Sequence, residues 1–161
     1  MAISVGERIP SLTLIKATAD GPQPVESDSY FAGRRVALFS VPGAFTPTCS
    51  ARHLPSFVDK ADELKAKGID EIACTAVNDA FVMSAWGKAS DVGDKVTMIA
   101  DGNGEFAQAL GLTMDGSGHG LGLRSQRYAM VVEDGVVTSL AVEDAPSKAE
   151  ASGAEALLKV L

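Results

Sequence analysis

The run Val36-Ala-Leu-Phe-Ser-Val41 is apolar at nearly every position and is bounded by Gly33-Arg34-Arg35 and Pro42-Gly43. A strand with one wet face alternates between apolar and polar residues. A run like this one reads as a strand buried on both faces. It belongs at the centre of a sheet, and the chain must cover that sheet on both sides. Two further runs, Glu71–Val77 and Val96–Ala100, have the same character.

Helical stretches alternate with these strands. Leu54, Phe57, Val58, Ala61 and Leu64 recur at the spacing of one helical face, and Gly68 is the expected C-cap. Pro55 lies inside that helix, and its missing N–H predicts a kink. Asn78-Asp79 can cap a helix with Phe81, Val82, Ala85, Trp86 and Ala89 on one face. Asp101-Gly-Asn-Gly104 turns into a short helix, Glu105 to Leu110, stopped by Gly111. Leu12–Ile15 is a short strand, and Thr18–Ser29 reads as loop or irregular hairpin. Leu112–Ser125 is glycine-rich and has no period. Tyr128–Val132 and Val136–Leu140 flank Asp134-Gly135, a strong hairpin signal. Ser147-Lys-Ala-Glu150 is a capping box that opens a last helix, with Ala151, Ala154, Leu157, Leu158 and Leu161 on one face. Strands that alternate with helices pair in parallel, and the terminal hairpin adds antiparallel pairs. The expected fold class is α/β, a mixed central sheet with helices on both faces, in a single domain spanning residues 1–161. No internal repeat, low-complexity segment or linker interrupts it.

Composition excludes several functions. The net charge of −7 disfavours nucleic acid and anionic membrane surfaces as partners. No run is long and apolar enough to span a bilayer. The N-terminal residues lack a basic start followed by an apolar block, so the expected location is cytoplasmic. Two cysteines in 161 residues are not a disulfide scaffold. If either matters, it matters through reactivity.

Cys49 is the better placed of the two. It follows the carboxyl end of the first buried strand, where sites form in sheets of this kind. Thr46 reads as an N-cap, Pro47 as the first helical residue and Cys49 as the third. Unpaired N–H groups at a helix start stabilise a thiolate. Cys74 lies mid-strand, about 10 Å below the rim at roughly 3.3 Å per residue. It reads as a small core residue. The alternative is a resolving cysteine, which would require Cα atoms within about 7 Å of each other. His53, four residues after Cys49, is either a catalytic base for a cysteine hydrolase or a surface or capping histidine. His119 has no partner nearby in sequence, and no metal-ligand spacing is present. Arg127, at the start of a strand, is the cation best able to reach the Cys49 rim. The bland reading of Arg124 and Arg127 is a pair of solvated arginines. Trp86, Phe45 and Phe81 read as packing residues, or as the pocket mouth or a dimer face.

Pro42-Gly-Ala-Phe-Thr46-Pro-Thr-Cys49-Ser resembles the active-site motif of the peroxiredoxins, in the form used by the type II, peroxiredoxin-5-like subfamily. The resemblance continues in order through Ala66-Lys-Gly68, Val77-Asn-Asp-Ala-Phe-Val-Met83, Ala85-Trp-Gly, Ala100-Asp-Gly102 and Arg127-Tyr-Ala-Met-Val-Val132 with Glu133-Asp-Gly. It implies a thioredoxin-like fold and the reduction of hydrogen peroxide and alkyl hydroperoxides, with no cofactor. It implies that Cys49 attacks the peroxide and becomes a sulfenic acid. By the same resemblance, Thr46 contacts the peroxide, Pro42 shields the site and Arg127 stabilises the thiolate and transition state. Gly43, Ala44 and Phe45 belong to the pocket. Some members carry a resolving cysteine after the final hairpin; Val142–Ser152 has none. Cys74 stands 25 residues after Cys49, a spacing at which members carry either a resolving or a structural cysteine. The expected reductant is therefore an external thiol, glutathione with glutaredoxin first and thioredoxin second. The subfamily implies a homodimer. Two other functions fit a reactive cysteine: the hydrolase, and a redox sensor or holdase switched by Cys49 oxidation.

Overall fold

The computed structural model describes residues 2–48, 52–145 and 148–161. The chain opens with a hairpin, β1 (Thr13–Thr18) and β2 (Gly21–Glu26), then a short helix α1 (Ser27–Phe31). The central strand β3 (Arg35–Ser40) leads towards the Cys49 loop. Helices α2 (Leu54–Asp59) and α3 (Ala61–Ala66) follow, then β4 (Glu71–Ala76), α4 (Ala80–Ala89), β5 (Thr97–Ala100) and α5 (Glu105–Leu110). A small two-stranded sheet, β6 (Thr113–Asp115) with β7 (Leu123–Ser125), precedes the hairpin β8 (Tyr128–Glu133) and β9 (Val136–Val142). Helix α6 (Ala154–Val160) closes the chain.

The main sheet has seven strands in the order β2-β1-β5-β4-β3-β8-β9. Only β3, β4 and β5 run parallel; the flanking pairs are antiparallel. Helices cover both faces, as expected. Alternation along the strands sorts the core. Phe39, Cys74, Met98 and Val131 face α2, α3, α4 and α6. Leu38, Ala73, Ile99 and Met130 face α1 and α5. Phe39 and Phe57 stack with centroids 4.0 Å apart and rings within 5° of parallel. Burying each ring contributes about 1.5–3 kcal/mol, and the pair ties α2 to the central strand.

Several expectations change. Of the two readings of Thr18–Ser29, loop or irregular hairpin, the hairpin holds, but it is regular: β2 pairs fully with β1, and Ser27–Phe31 is helical. Pro22 and Pro24 are tolerated because β2 is an edge strand, where alternate N–H groups point away from the sheet. The helix ending near Gly68 is not one kinked rod. Arg52 and His53 lie in a wide π-type turn just ahead of Pro55, and the chain breaks again at Lys60 between α2 and α3. The wide turn falls where a proline inside a helix interrupts the regular bonding.

Helix α4 is capped by the Asp79 carboxylate, which accepts from Val82 N at 2.8 Å. Its buried face, however, is Ala80, Met83, Trp86 and Gly87, and Phe81 is 71% exposed. Two apolar stripes fit this helix, and the one that packs on the sheet contains Gly87, where an added Cβ would lie 3.2 Å from Met98 Cγ. Leu112–Ser125 contains β6, β7 and a 3-10 turn at Ser117–His119. The last helix starts at Ala154 behind Gly153, with no side-chain cap. Glu150 precedes it in a tight turn, while Ser147 lies outside the described residues.

Candidate active site

A cleft of about 730 Å³ opens beyond the carboxyl end of β3. Pro42, Thr46, Pro47 and Thr48 form one wall. Met114, Asp115, Gly116, His119 and Leu121 form the other, and Arg127 reaches in from the start of β8. The glycine-rich segment is thus the opposite wall of the cleft. Arg124 holds that wall in place, donating from Nε to Leu121 O at 2.8 Å and from Nη1 to Val77 O at 3.1 Å.

The loop after β3 is held tightly by local bonds. The Thr46 hydroxyl donates to Gly43 O at 2.7 Å, and Ala44 N donates to Asn78 Oδ1 at 2.9 Å. Phe45 takes a left-handed conformation, with φ of 64°, and its ring lies 6.5 Å from Trp86. Pro42, Thr46 and Arg127 therefore share the cleft, whereas Gly43, Ala44 and Phe45 do not line it. With its hydrogen directed at Gly43 O, the Thr46 hydroxyl can act towards any other group only as an acceptor. The placement of Cys49, including its position in the helix and its distance from Cys74, lies outside the described residues.

Arg127 is 3% exposed, so it is not a solvated arginine. Its Nη1 donates to His53 Nδ1 at 2.8 Å. His53 is fully buried, so it is not a surface residue; it stands at the N-cap position of α2 without a side-chain capping bond, and its ring packs beside the Phe39–Phe57 stack, 4.9 Å from the first ring and 5.7 Å from the second. Its other nitrogen, Nε2, is 2.9 Å from Ser152 O. A guanidinium can only donate and a carbonyl can only accept, so the proton must sit on Nε2 and the lone pair on Nδ1. Burial, with the Arg127 charge in support, lowers the His53 pKa to about 3, against the bond to Ser152 O. His53 stays neutral at ordinary pH. Both its nitrogens are engaged, which leaves no lone pair to take a proton from a cysteine and removes the basis of the hydrolase reading.

The consequence for Arg127 is electrostatic. A carboxylate partner would orient the guanidinium but cancel its charge. A neutral imidazole orients it and leaves the positive charge in force in a partly enclosed site, where it acts more strongly than in water.

Cys74 is fully buried in mid-β4, with Phe39 and Met98 as register partners on either side. Ser152 and Glu143, which continue the network from His53, had no signal in the sequence. Among the described residues no cluster of His, Cys, Asp and Glu could hold a metal ion, and no helix is long and apolar enough to cross a membrane.

Residues 4–158 match the Redoxin family model. The chain is 48% identical to Peroxiredoxin-2E, chloroplastic, of Arabidopsis thaliana, over 99% of this chain and 70% of that one. It is 48% identical to Peroxiredoxin-2D of the same plant, over 99% and 98%. The structure superposes on reduced Prx3 in complex with hydrogen peroxide from Vibrio vulnificus with a TM-score of 0.92. The two are 52% identical, with 98% of each chain covered.

Proposed function

This chain belongs to the type II peroxiredoxins, has their thioredoxin-like fold and is a thiol peroxidase that takes peroxide and a thiol reductant, and on that premise we propose that Cys49 is its nucleophile and Arg127 its fixed cation. The observation that carries this reading is the buried Arg127 guanidinium, held by a neutral His53 and turned into the same cleft as Pro42 and Thr46.

The Cys49 thiolate attacks one peroxide oxygen; an S–O bond forms as the O–O bond breaks. The electron pair leaves on the second oxygen, which takes a proton and departs as water or an alcohol. Arg127 offsets the charge on that leaving oxygen and holds the sulfur ionised beforehand. Thr46 accepts from the peroxide O–H and fixes its approach, and Pro42 limits water. Cys49 becomes a sulfenic acid. A first external thiol condenses with it, releasing water, and a second displaces the mixed disulfide to restore the thiolate.

Glutathione with glutaredoxin is the favoured reductant. The support is the burial of Cys74 in the core and the lack of a cysteine after β9, which leave no exposed internal partner. A homodimer through the Phe45–Phe81 end of the molecule fits their exposure, and a cytoplasmic location completes the reading. The test is Cys49→Ser, assayed for peroxide consumption with glutathione and glutaredoxin. Consumption should be abolished, and a variant that still turns over would overturn the assignment. Thr46→Val should lower kcat/KM for peroxide about a hundredfold, as the loss of an oriented contact does, while Thr46→Ser should restore most of it.

A further inference from the structure

The bond from Arg127 to His53 does not end at the ring. His53 Nε2 is tied to Ser152 O, and Ser152 is itself fully buried. The Glu143 carboxylate grips Ser152 at two points: Oε2 accepts from Ser152 N at 2.6 Å and from Ser152 Oγ at 2.6 Å. Short bonds to an ionised acceptor are the strong kind. The neighbouring turn is compact, since a Cβ at Gly153 would lie 3.0 Å from Ala149 O. The Ser152 carbonyl therefore has little freedom to point elsewhere.

We infer that Glu143 is a positioning residue for Arg127, acting through Ser152 and His53. This rests on the reading of Arg127 as the cation of the peroxidase site. Glu143 stands directly beside Arg127 across the hairpin, where Glu143 N donates to Arg127 O at 2.9 Å. Its carboxylate, though, is directed at Ser152. That choice fixes the tautomer. With Ser152 O in place, His53 keeps its proton on Nε2 and offers a lone pair to the guanidinium. If the carbonyl turned away, the proton could move to Nδ1, and two donors would face each other in a buried site. Arg127 would then swing from its place. The carboxylate thus aims the cation at one remove, with a neutral ring between them.

The electrostatic sign makes this testable. Removing a negative charge near a thiolate lowers the thiol pKa by simple Coulomb attraction and repulsion. Loss of positioning does the opposite, because the thiolate loses its cation. In Glu143→Gln we expect the Cys49 thiol pKa, followed by thiolate absorbance against pH, to rise. We expect the second-order rate of Cys49 oxidation by hydrogen peroxide to fall about tenfold, within the range that misplacement by the order of 1 Å costs. Ser152→Ala removes only the hydroxyl point of the grip and should shift both readouts the same way by a smaller factor. It carries the test if the Gln variant fails to fold. Thermal melting should be recorded alongside. A lower melting temperature with an unchanged or lower thiol pKa and an unchanged rate would overturn the inference and leave Glu143 a purely structural residue. Arg127→Gln separates the two levels. If it slows oxidation while both other variants do not, the relay fails and the role of Arg127 stands. If it does not slow oxidation, the role of Arg127 fails and the relay with it.

Discussion

Nδ1 of His53 stands 2.8 Å from Nη1 of Arg127, and the ring is neutral. A buried cation is thereby oriented without being neutralised. His53→Phe keeps a ring of similar shape beside Phe39 and Phe57 but removes the acceptor. One guanidinium N–H then loses its partner, at a cost of about 1–3 kcal/mol of stability. Oxidation of Cys49 should slow by about ten- to a hundredfold through the displaced arginine. Stopped-flow measurement of the oxidation rate checks this. A rate within twofold of the parent would remove His53 from any part in the site.

The same residue predicts an acid limit. Burial lowers the His53 pKa from 6.5 to about 3, so the folded form prefers the neutral ring while the unfolded chain binds a proton near pH 6.5. The stability linked to His53 is therefore complete above pH 6.5. It is lost progressively as the pH falls towards 3, at up to about 1.4 kcal/mol per pH unit. Denaturant unfolding of the parent and of His53→Phe across pH 7 to 4 should show a steeper loss for the parent. Parallel curves for the two proteins would mean that His53 titrates normally.

The sheet and most helices were legible because their signals are local and repeated. The doubly apolar runs gave β3, β4 and β5, Asp134-Gly135 gave the last hairpin, and Gly111 marked the end of α5 to the residue. The site was legible only in part. Arg127 could be singled out as a cation at a strand start, but its burial depends on a histidine 74 residues away in sequence. His53 read as base or surface residue because its neighbours Phe39 and Phe57 enclose it only after folding. Ser152 and Glu143 carried no signal at all: a backbone carbonyl acting as a tautomer lock leaves no mark in composition or spacing. The buried face of α4 misled for another reason. Phe81 is more apolar than Ala80, but the face that meets β5 is the one with Gly87, where an added Cβ would lie 3.2 Å from Met98 Cγ.

The proposal of an external thiol turns on Cys74. It is fully buried in β4, and forming a bond to Cys49 would require opening the core. Mass analysis under non-reducing conditions, after one equivalent of peroxide, should find sulfenic acid on Cys49, or a glutathione adduct where glutathione is present. Cys74→Ala should leave turnover with glutathione and glutaredoxin unchanged and cost about 1 kcal/mol of stability, near the commonest value for a point change. Detection of a Cys49–Cys74 bond within one chain would overturn the preference for an external thiol.

The dimer prediction rests on surface that a monomer has no reason to keep apolar. Phe81 is 71% exposed, Phe45 54% and Leu123 42%. They lie at one end of the molecule. Ala44 N is bonded to Asn78, just ahead of α4, Phe45 lies against Trp86 of that helix, and Leu123 packs over Gly104 and towards Val77. Large apolar side chains exposed around the same elements fit an interaction site. It also flanks the cleft wall formed by residues 42–48, so pairing there would steady the loop that carries Thr46. Phe81→Asp puts a charge into the patch without touching the cleft. Sedimentation velocity should show a dimer for the parent and a monomer for the variant. The variant should oxidise several-fold more slowly, since a less firmly held Thr46 presents the peroxide less precisely. A parent protein that sediments as a monomer at micromolar concentration would refute the dimer, and equal rates for the two proteins would separate assembly from catalysis.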